Sequence, residues 1–533
     1  MSSPVPIEID DDHVSTHSIA QSRTPTVYEG QVGRIPSAEK KEAQLFVVEF
    51  EPDDPDNPHN WSRSYRWFLT FASGLLVLNA TFASAAPSGI LPSLMEQMDF
   101  SEEVASLVVA IFVAGYCVGP LLWGPLSEQI GRRPVFLISF VFYTGFQVGC
   151  ALSRNTASML VFRFLSGVFA AAPLTNSGAL LGDIWDASTR GKAMTLFSCA
   201  PFAGPALGPT VSGWIEVTGT DWRWLFWVLT MFAGVCLVLT FFTIKETYSP
   251  VLLVQKARRV RKETGDSRYY APLEDDKLSI SDRLNKILAT PFKILFQEPV
   301  LIALTVYMSF IYGCMYLLFE AYPIVFTQDH HLNAGFSGLM FLPISLGGLA
   351  GVGVYLLVFS PRYDRYIKEY APLPVPPEKR MEVMAVAAPL YAISFFWFGW
   401  TSYSWISFWA PMMAGSIMGF SILLLMLSLI NYIVDTYLYY AASALSANTV
   451  ARSIFVLNMA LQLFATQMFN ALNPRWASTL LGCFAALMVP MPFLLIRYGP
   501  FLRTKSKFAP NLSFGTLKNV PEEKELTVPE DSV

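Results

Sequence analysis

Roughly a dozen times between Trp67 and Arg497 the chain runs for about 20 residues with hardly a charge, the length of α-helix that crosses the hydrocarbon of a bilayer. A soluble protein carries near 25% charged residues. Here 15% are charged, 53% are hydrophobic and the mean hydropathy is +0.41, which excludes the soluble classes. The 533 residues would suffice for several soluble domains, but the apolar runs use them up as one polytopic membrane domain. The fold class expected is all-α, with transmembrane helices throughout.

Spans are expected near 66–90, 104–126, 134–153, 157–182, 191–214 and 223–244, and again near 299–326, 335–359, 382–401, 405–433, 443–468 and 476–497. Six plus six around a long polar loop suggests an internal duplication into two pseudo-symmetric six-helix bundles. The organisation is then a disordered cytoplasmic tail (1–62), an N-terminal bundle (63–245), a cytoplasmic central loop (246–294), a C-terminal bundle (295–500) and a cytoplasmic tail (501–533). The first tail is rich in Ser, Pro and acids and has no apolar core of a signal peptide.

Arg132, Arg133, Arg190, Lys192, the loop cations from Lys256 to Lys262, Arg362, Arg365 and Arg503 to Lys507 all fall on one side of the expected spans. By the positive-inside rule that side, with both termini, is cytoplasmic. The six cysteines, Cys117, Cys150, Cys199, Cys236, Cys314 and Cys483, lie inside apolar runs and read as small hydrophobes rather than disulfide partners or metal ligands. Asn79, Asn60 and Asn511 match the glycosylation pattern, but the first lies in a span and the others on the cytoplasmic side, so none is expected to be modified.

The turn after the second span reads Gly124-Pro-Leu-Ser-Glu-Gln-Ile-Gly-Arg-Arg-Pro134. Gly124 suits close helix packing and Gly131 a tight turn. Glu128 can pair with Arg132 and Arg133 as a breakable latch, with Asp183 at the end of span four an alternative acid. The ordinary reading of the same residues is a positive-inside anchor. The second half has Pro361-Arg-Tyr-Asp-Arg365 at the equivalent place.

Arg163 puts a guanidinium inside span four beside a run of small residues, where a charge costs about 3 kcal/mol unless paired or hydrated. In span five, Gly204-Pro205-Ala-Leu-Gly208-Pro209 followed by Ser212-Gly213 places glycines on one helical face. Gly347 and Gly351 in span eight share that spacing, and the two helices are expected to meet between the halves. Glu320 is the one acid well inside an apolar run of the second half, and Tyr312, Tyr316 and Glu320 share a face of span seven. Rings beside an acid suit an organic cation, the carboxylate is equally a proton site, and Glu320 at the outer interface is the bland alternative. Asn79 and Asn176 are expected to face the interior, for helix bonding or substrate contact. Asp435 and Arg452 bracket the turn between spans ten and eleven and read as hydrated orientation or latch residues.

With these motifs on view, the chain resembles the major facilitator superfamily, whose loop between helices two and three reads Gly-x-Leu-x-Asp-Arg-x-Gly-Arg-Arg. Here Glu128 stands for the usual Asp and Gln129 for the first Arg. Asp56-Asn-Pro-His-Asn-Trp-Ser62, Trp222-Arg-Trp-Leu-Phe-Trp227, Glu246-Thr-Tyr-Ser-Pro250 and Tyr440-Ala-Ala-Ser-Ala-Leu-Ser-Ala-Asn448 resemble its fungal twelve-span drug:proton antiporters. The resemblance covers about residues 45 to 508. It implies two bundles of six helices, twelve in all, rocking about a central cavity, proton transfer at Arg163, and an antiporter helix in span five marked by Gly204, Pro205, Gly208, Pro209 and Gly213.

The function this implies is export of a small amphipathic molecule, a drug, polyamine or secondary metabolite, in exchange for protons, with Arg163 and Glu320 coupling the two. A proton-coupled importer or a facilitator of a nutrient or organic acid is the first rival, and a non-transporting receptor or membrane enzyme the second. No metal-ligand cluster, P-loop or nucleophile elbow is visible, so neither an enzyme nor an ATP-driven pump is expected, and no cofactor. The expected partners are the substrate, protons and the lipid bilayer, with no nucleic acid, for a chain acting as a monomer. The resemblance favours the plasma membrane over the vacuolar membrane.

Overall fold

Lipid offers backbone amides nothing to bond, so each apolar run satisfies its own as helix. The computed structural model describes residues 46–275, 289, 292–371, 373–437, 441–454, 456–506 and 508. The first half holds α1 (Arg63–Ala85), which passes through a 3-10 turn (Ala86–Ile90) into α2 (Leu91–Met98), then α3 (Glu102–Ile130), α4 (Arg132–Ala151), α5 (Thr156–Ile184), α6 (Ala187–Phe197), α7 (Ala200–Val217) and α8 (Arg223–Thr243). Between the halves lie α9 (Ser249–Thr264) and α10 (Pro272–Asp275). The second half holds α11 (Pro299–Tyr322), α12 (Ala334–Leu339), α13 (Leu342–Val354), α14 (Ser360–Tyr370), α15 (Met381–Thr401), α16 (Trp409–Tyr437), α17 (Ala441–Ile454), α18 (Val456–Met488) and α19 (Pro490–Thr504).

Among the described residues, ten helical stretches are long and apolar enough to cross a bilayer. The other two passes are each built from shorter helices, α6 with α7 and α17 with the first part of α18. Asn473 (φ +60°) breaks α18 ahead of Pro474 and begins the last pass. Outward-facing side chains such as Phe71, Leu122, Val141, Phe142, Val235, Phe242 and Leu357 are apolar, as a face wetted by lipid requires.

Within a bundle, glycines set the closest approaches. A Cβ at Gly115 would fall 2.5 Å from the Val168 amide, and one at Gly167 would run into the Phe112 carbonyl, so α3 and α5 pack backbone to backbone. Gly124 is not part of this, because its nearest foreign atom, on Thr175, would lie 3.7 Å away in ordinary contact.

Two expectations change. The stretch Pro361 to Arg365, read as the second-half equivalent of the turn after span two, is not a turn: it lies inside α14, because nothing there matches Gly131, whose φ of +100° separates α3 from α4, and Pro361 fits a first helical turn. The first tail is not disordered to residue 62. From Phe46 onward it forms a strap on the central segment, with β1 (Phe46–Val47) pairing parallel to β2 (Tyr269–Tyr270). Val48 packs on Ala257 and Ala271. Asp54 pairs with Lys256 and Asp56 with Arg259, and the Asn60 amide bonds the carbonyls of Pro52 and Asp54. The rest of that tail, residues 1–45, and most of the last one lie outside the described residues.

The Lys256 ammonium beside Asp54 holds its carboxyl below the ordinary value of 3.8. A carboxylate depressed in this way contributes stability above its unfolded-state value and loses it as pH falls through the folded one, so the strap is expected to stay pinned across the neutral range. Asp54→Asn is expected to release it at pH 7, read as faster tryptic cleavage after Lys256, Arg258 and Arg259. Cleavage at the wild-type rate would mean that the ion pair does not hold the strap.

Candidate functional site

At the end of the bundles that carries the basic residues, each half contains the same unit. In the first, Arg132 opens α4 and its Nε meets the Asp183 carboxylate at the end of α5, 3.3 Å away, while its guanidinium lies 4.7 Å from the Tyr248 ring. In the second, Arg380 precedes α15, its Nε lies 2.8 Å from the Asp435 carboxylate at the end of α16, and it stacks 3.5 Å from the Tyr363 ring. Tyr363 also donates its hydroxyl to Asp435 at 3.2 Å. Asp435 is therefore an ion-pair partner, as a latch reading needs.

The α4 terminus has a further anion. Glu246 accepts from the backbone amides of Arg132 (2.8 Å), Arg133 (3.1 Å), Thr247 and Tyr248, neutralising the positive end of the helix. A Cβ at Gly131 would strike this carboxylate, so the turn requires glycine twice, for its φ and for its emptiness. Arg133 donates to the Phe241 carbonyl. Glu128, expected to pair with these arginines, is exposed and makes no hydrogen bond or ion pair among the described residues. Asp183 is the nearer acid because it ends the helix against which α4 packs.

A second group of polar side chains lies deeper, where the bundles face each other. Arg163 is fully buried and spends its fork on three carbonyls, Val108 (3.0 Å), Ala83 (3.0 Å) and Ser84 (3.3 Å), with the Phe112 ring 4.3 Å away. Ser84 turns its hydroxyl to Tyr316 of α11, 3.1 Å away in the other half. Along the same face, Glu320 accepts from the Ser106 hydroxyl of α3 at 3.1 Å. Tyr312 carries the Arg452 guanidinium of α17 over its ring at 3.9 Å. Through Tyr316 and Glu320 the face predicted for span seven looks onto the opposite half, while the partner of Tyr312 belongs to its own half. Arg452 is not at the hydrated turn: it lies eleven residues into α17 and reaches inward.

Asn79 is fully buried with neither amide atom hydrogen-bonded to a described residue. Asn176 donates to the carbonyls of Ala172 and Trp123, the helix-to-helix role. Spans five and eight meet as expected, through Pro209 and Gly213 of the expected face of span five but through residues of span eight other than Gly347 and Gly351. A Cβ at Gly213 would run into the Ala334 carbonyl and one at Gly338 into Pro209, while Thr210 donates to the Gly338 carbonyl at 2.9 Å and Ser345 to Phe202 at 3.1 Å. Gly204 and Gly208, beside Pro205 and Pro209, instead seat α7 on Thr81 to Ala86 of the first half, and Gly347 and Gly351 seat α13 on Ser416 and Phe420. Spacing marks a small face but not its neighbour. The readings also missed Glu246, Arg380, Ser84 and Ser106. Arg380 was legible as the second-half counterpart of Arg132, since each opens the third helix of its bundle.

Two bundles of matching internal braces, touching along an interface that carries buried polar side chains, define a membrane transporter. Residues 73–457 match the family model described as Major Facilitator Superfamily. The chain is 39% identical over 471 residues to the MFS-type efflux pump MFS2 of Trichophyton rubrum, covering 88% of this chain and 78% of that one. It is 36% identical over 468 residues to the major facilitator superfamily multidrug transporter FLU1 of Candida albicans, covering 87% and 76%. Among solved structures, the xylose transporter XylE of E. coli in a partially occluded inward-open conformation shares the fold, with a TM-score of 0.59 over 82% of this chain and 98% of that one, at 18% identity. The chain belongs to the major facilitator superfamily. It is an integral multi-pass membrane transporter that takes a small-molecule substrate.

Proposed function

We propose that this transporter exports small amphipathic molecules in exchange for protons, one chain completing the pathway. In this reading the N-terminal bundle (63–245) and C-terminal bundle (295–500) rock about the substrate path, with the basic end and both termini in the cytoplasm of a cell bounded by the plasma membrane. The observation that carries it is Glu320. A carboxylate of one bundle accepts a hydrogen bond from Ser106 of the other, so adding a proton changes a bond that joins the halves, and a coupling residue needs that property. Arg163 contributes by holding the Ser84 backbone, whose side chain meets Tyr316. Arg132 and Asp183, with Gly131 and Arg133, brace α4 against α5 at the cytoplasmic end, so that the first bundle moves as one body. The relatives named efflux pump and multidrug transporter support the direction and the breadth of substrate.

The test is substrate movement in sealed vesicles holding the purified chain under an imposed pH gradient. The wild type is expected to move organic amphiphiles with the gradient and Glu320→Gln to move them independently of it. Wild-type movement indifferent to the gradient would make the chain a facilitator, and an unimpaired Glu320→Gln would strip that residue of its role.

A further inference from the structure

The ring that would cage a cationic substrate already holds a cation of the protein. Tyr312 shares its helix face with Tyr316 and Glu320, both of which meet the opposite half, and the Arg452 guanidinium, from α17 of its own half, lies 3.9 Å from its centroid. One turn before Arg452, Asn448 donates to Thr305 of α11 at 3.1 Å, which fixes α17 against α11 and sets the side from which Arg452 reaches the ring. Both Tyr312 and Arg452 are half-buried, so the charge is neither lost to bulk water nor sealed in the core.

We propose that Arg452 is a specificity-determining residue that makes the site between the bundles select amphiphiles bearing a carboxylate over neutral or cationic ones. A ligand cation beside Tyr312 would meet Arg452 at short range in a medium of low dielectric, where like charges repel strongly. A carboxylate would meet a planar donor group of matching geometry, already oriented by its stacking. Arg163 adds positive charge from the first bundle, although its donors are committed to carbonyls. Glu320, the negative group of the face, is eight residues from Tyr312, about 12 Å along the helix. The face is thus positive at the level of Tyr312 and negative near Ser106. An acid would dock at the first and leave Glu320 to the proton. The inference rests on reading this interface as the substrate path.

Equilibrium binding to the purified full-length chain in nanodiscs tests it, with no gradient imposed. The probes are 1-naphthaleneacetate, 4-phenylbutyrate and dodecanoate, each beside its amide, with 1-naphthylmethylamine as the cation. At least one acid is expected to bind about tenfold or more tighter than its amide, and the amine more weakly than the naphthyl amide. Arg452→Gln is expected to bring that ratio to within about twofold by weakening the acid alone, while Arg452→Lys keeps part of the preference. If no acid outbinds its amide in the wild type, absence of acid binding included, or if Arg452→Gln keeps the preference, the proposal fails. Should Arg452→Gln not purify as a folded protein, the wild-type ratios and Arg452→Lys decide. A preserved acid preference alongside gradient-independent transport would overturn proton coupling and leave this assignment standing.

Discussion

Arg163→Ala is expected to abolish transport and to lower the thermal stability of the purified protein more than any other single polar substitution in the first bundle. The side chain has no exposed surface and donates to three carbonyls from two helices, α1 and α3. Truncation leaves those neutral acceptors turned toward a void of guanidinium size, and each buried acceptor left without its partner costs about 1–3 kcal/mol. The loss also reaches the interface, because the Ser84 whose carbonyl is released carries the hydroxyl that meets Tyr316. Arg163→Lys keeps the charge but has a single nitrogen for three acceptors, so an intermediate melting temperature is expected. Melting of the detergent-purified variants by intrinsic fluorescence checks both, and a wild-type midpoint for Arg163→Ala would show that the three bonds are not what holds α1, α3 and α5 together.

The second large effect separates packing inside a bundle from packing between bundles. At Gly347 a side chain would be driven into the Ser416 carbonyl, joining α13 to α16 of one bundle; at Gly213 it would be driven into the Ala334 carbonyl, joining α7 to α12 across the halves. Gly347→Val must displace backbone within a packed unit, where overpacking costs about 1–3 kcal/mol or more, and little folded protein is expected. Gly213→Val leaves each bundle's own packing intact, so it is expected to fold with a near-wild-type midpoint yet fail to bring the halves together and to lose transport. A cysteine placed at Ser106, buried at this seam, reports the difference. Its maleimide labelling, in a background without native cysteines, is expected to rise several-fold in Gly213→Val. Equal instability of the two glycine variants would mean that the seam is part of one continuous core.

What the sequence made legible follows from the range of each signal. The passes were readable because a lipid-crossing helix is a local property of about 20 residues, and helices such as α3 and α5 overshoot the expected ends by a few residues only. The shared face of Tyr312, Tyr316 and Glu320 was readable for the same reason, since i, i+4 and i+8 lie along one helix side. Partners were not. Ser84 and Ser106 are ordinary residues of apolar helices, singled out only by facing Tyr316 and Glu320 from more than 200 positions away. Arg452 was misplaced because distance from a turn measures where a Cα lies, whereas a long side chain reaches further. Glu246 sat inside a recognised string, but its four backbone donors come from a turn more than 100 residues earlier as well as from its own neighbours.

The paired units at the basic end have a mechanical consequence. Arg132 with Asp183 and Arg380 with Asp435 each bind helices of a single bundle, in corresponding places. Ties of that kind stiffen two beams at their ends. A beam that does not bend delivers a small tilt at one end as a proportionate opening at the other, and two beams of equal stiffness share the displacement evenly. In the rocking cycle proposed above, cutting one tie would let its beam absorb part of the stroke as flexure, so that side would lose throw while its partner kept its full swing.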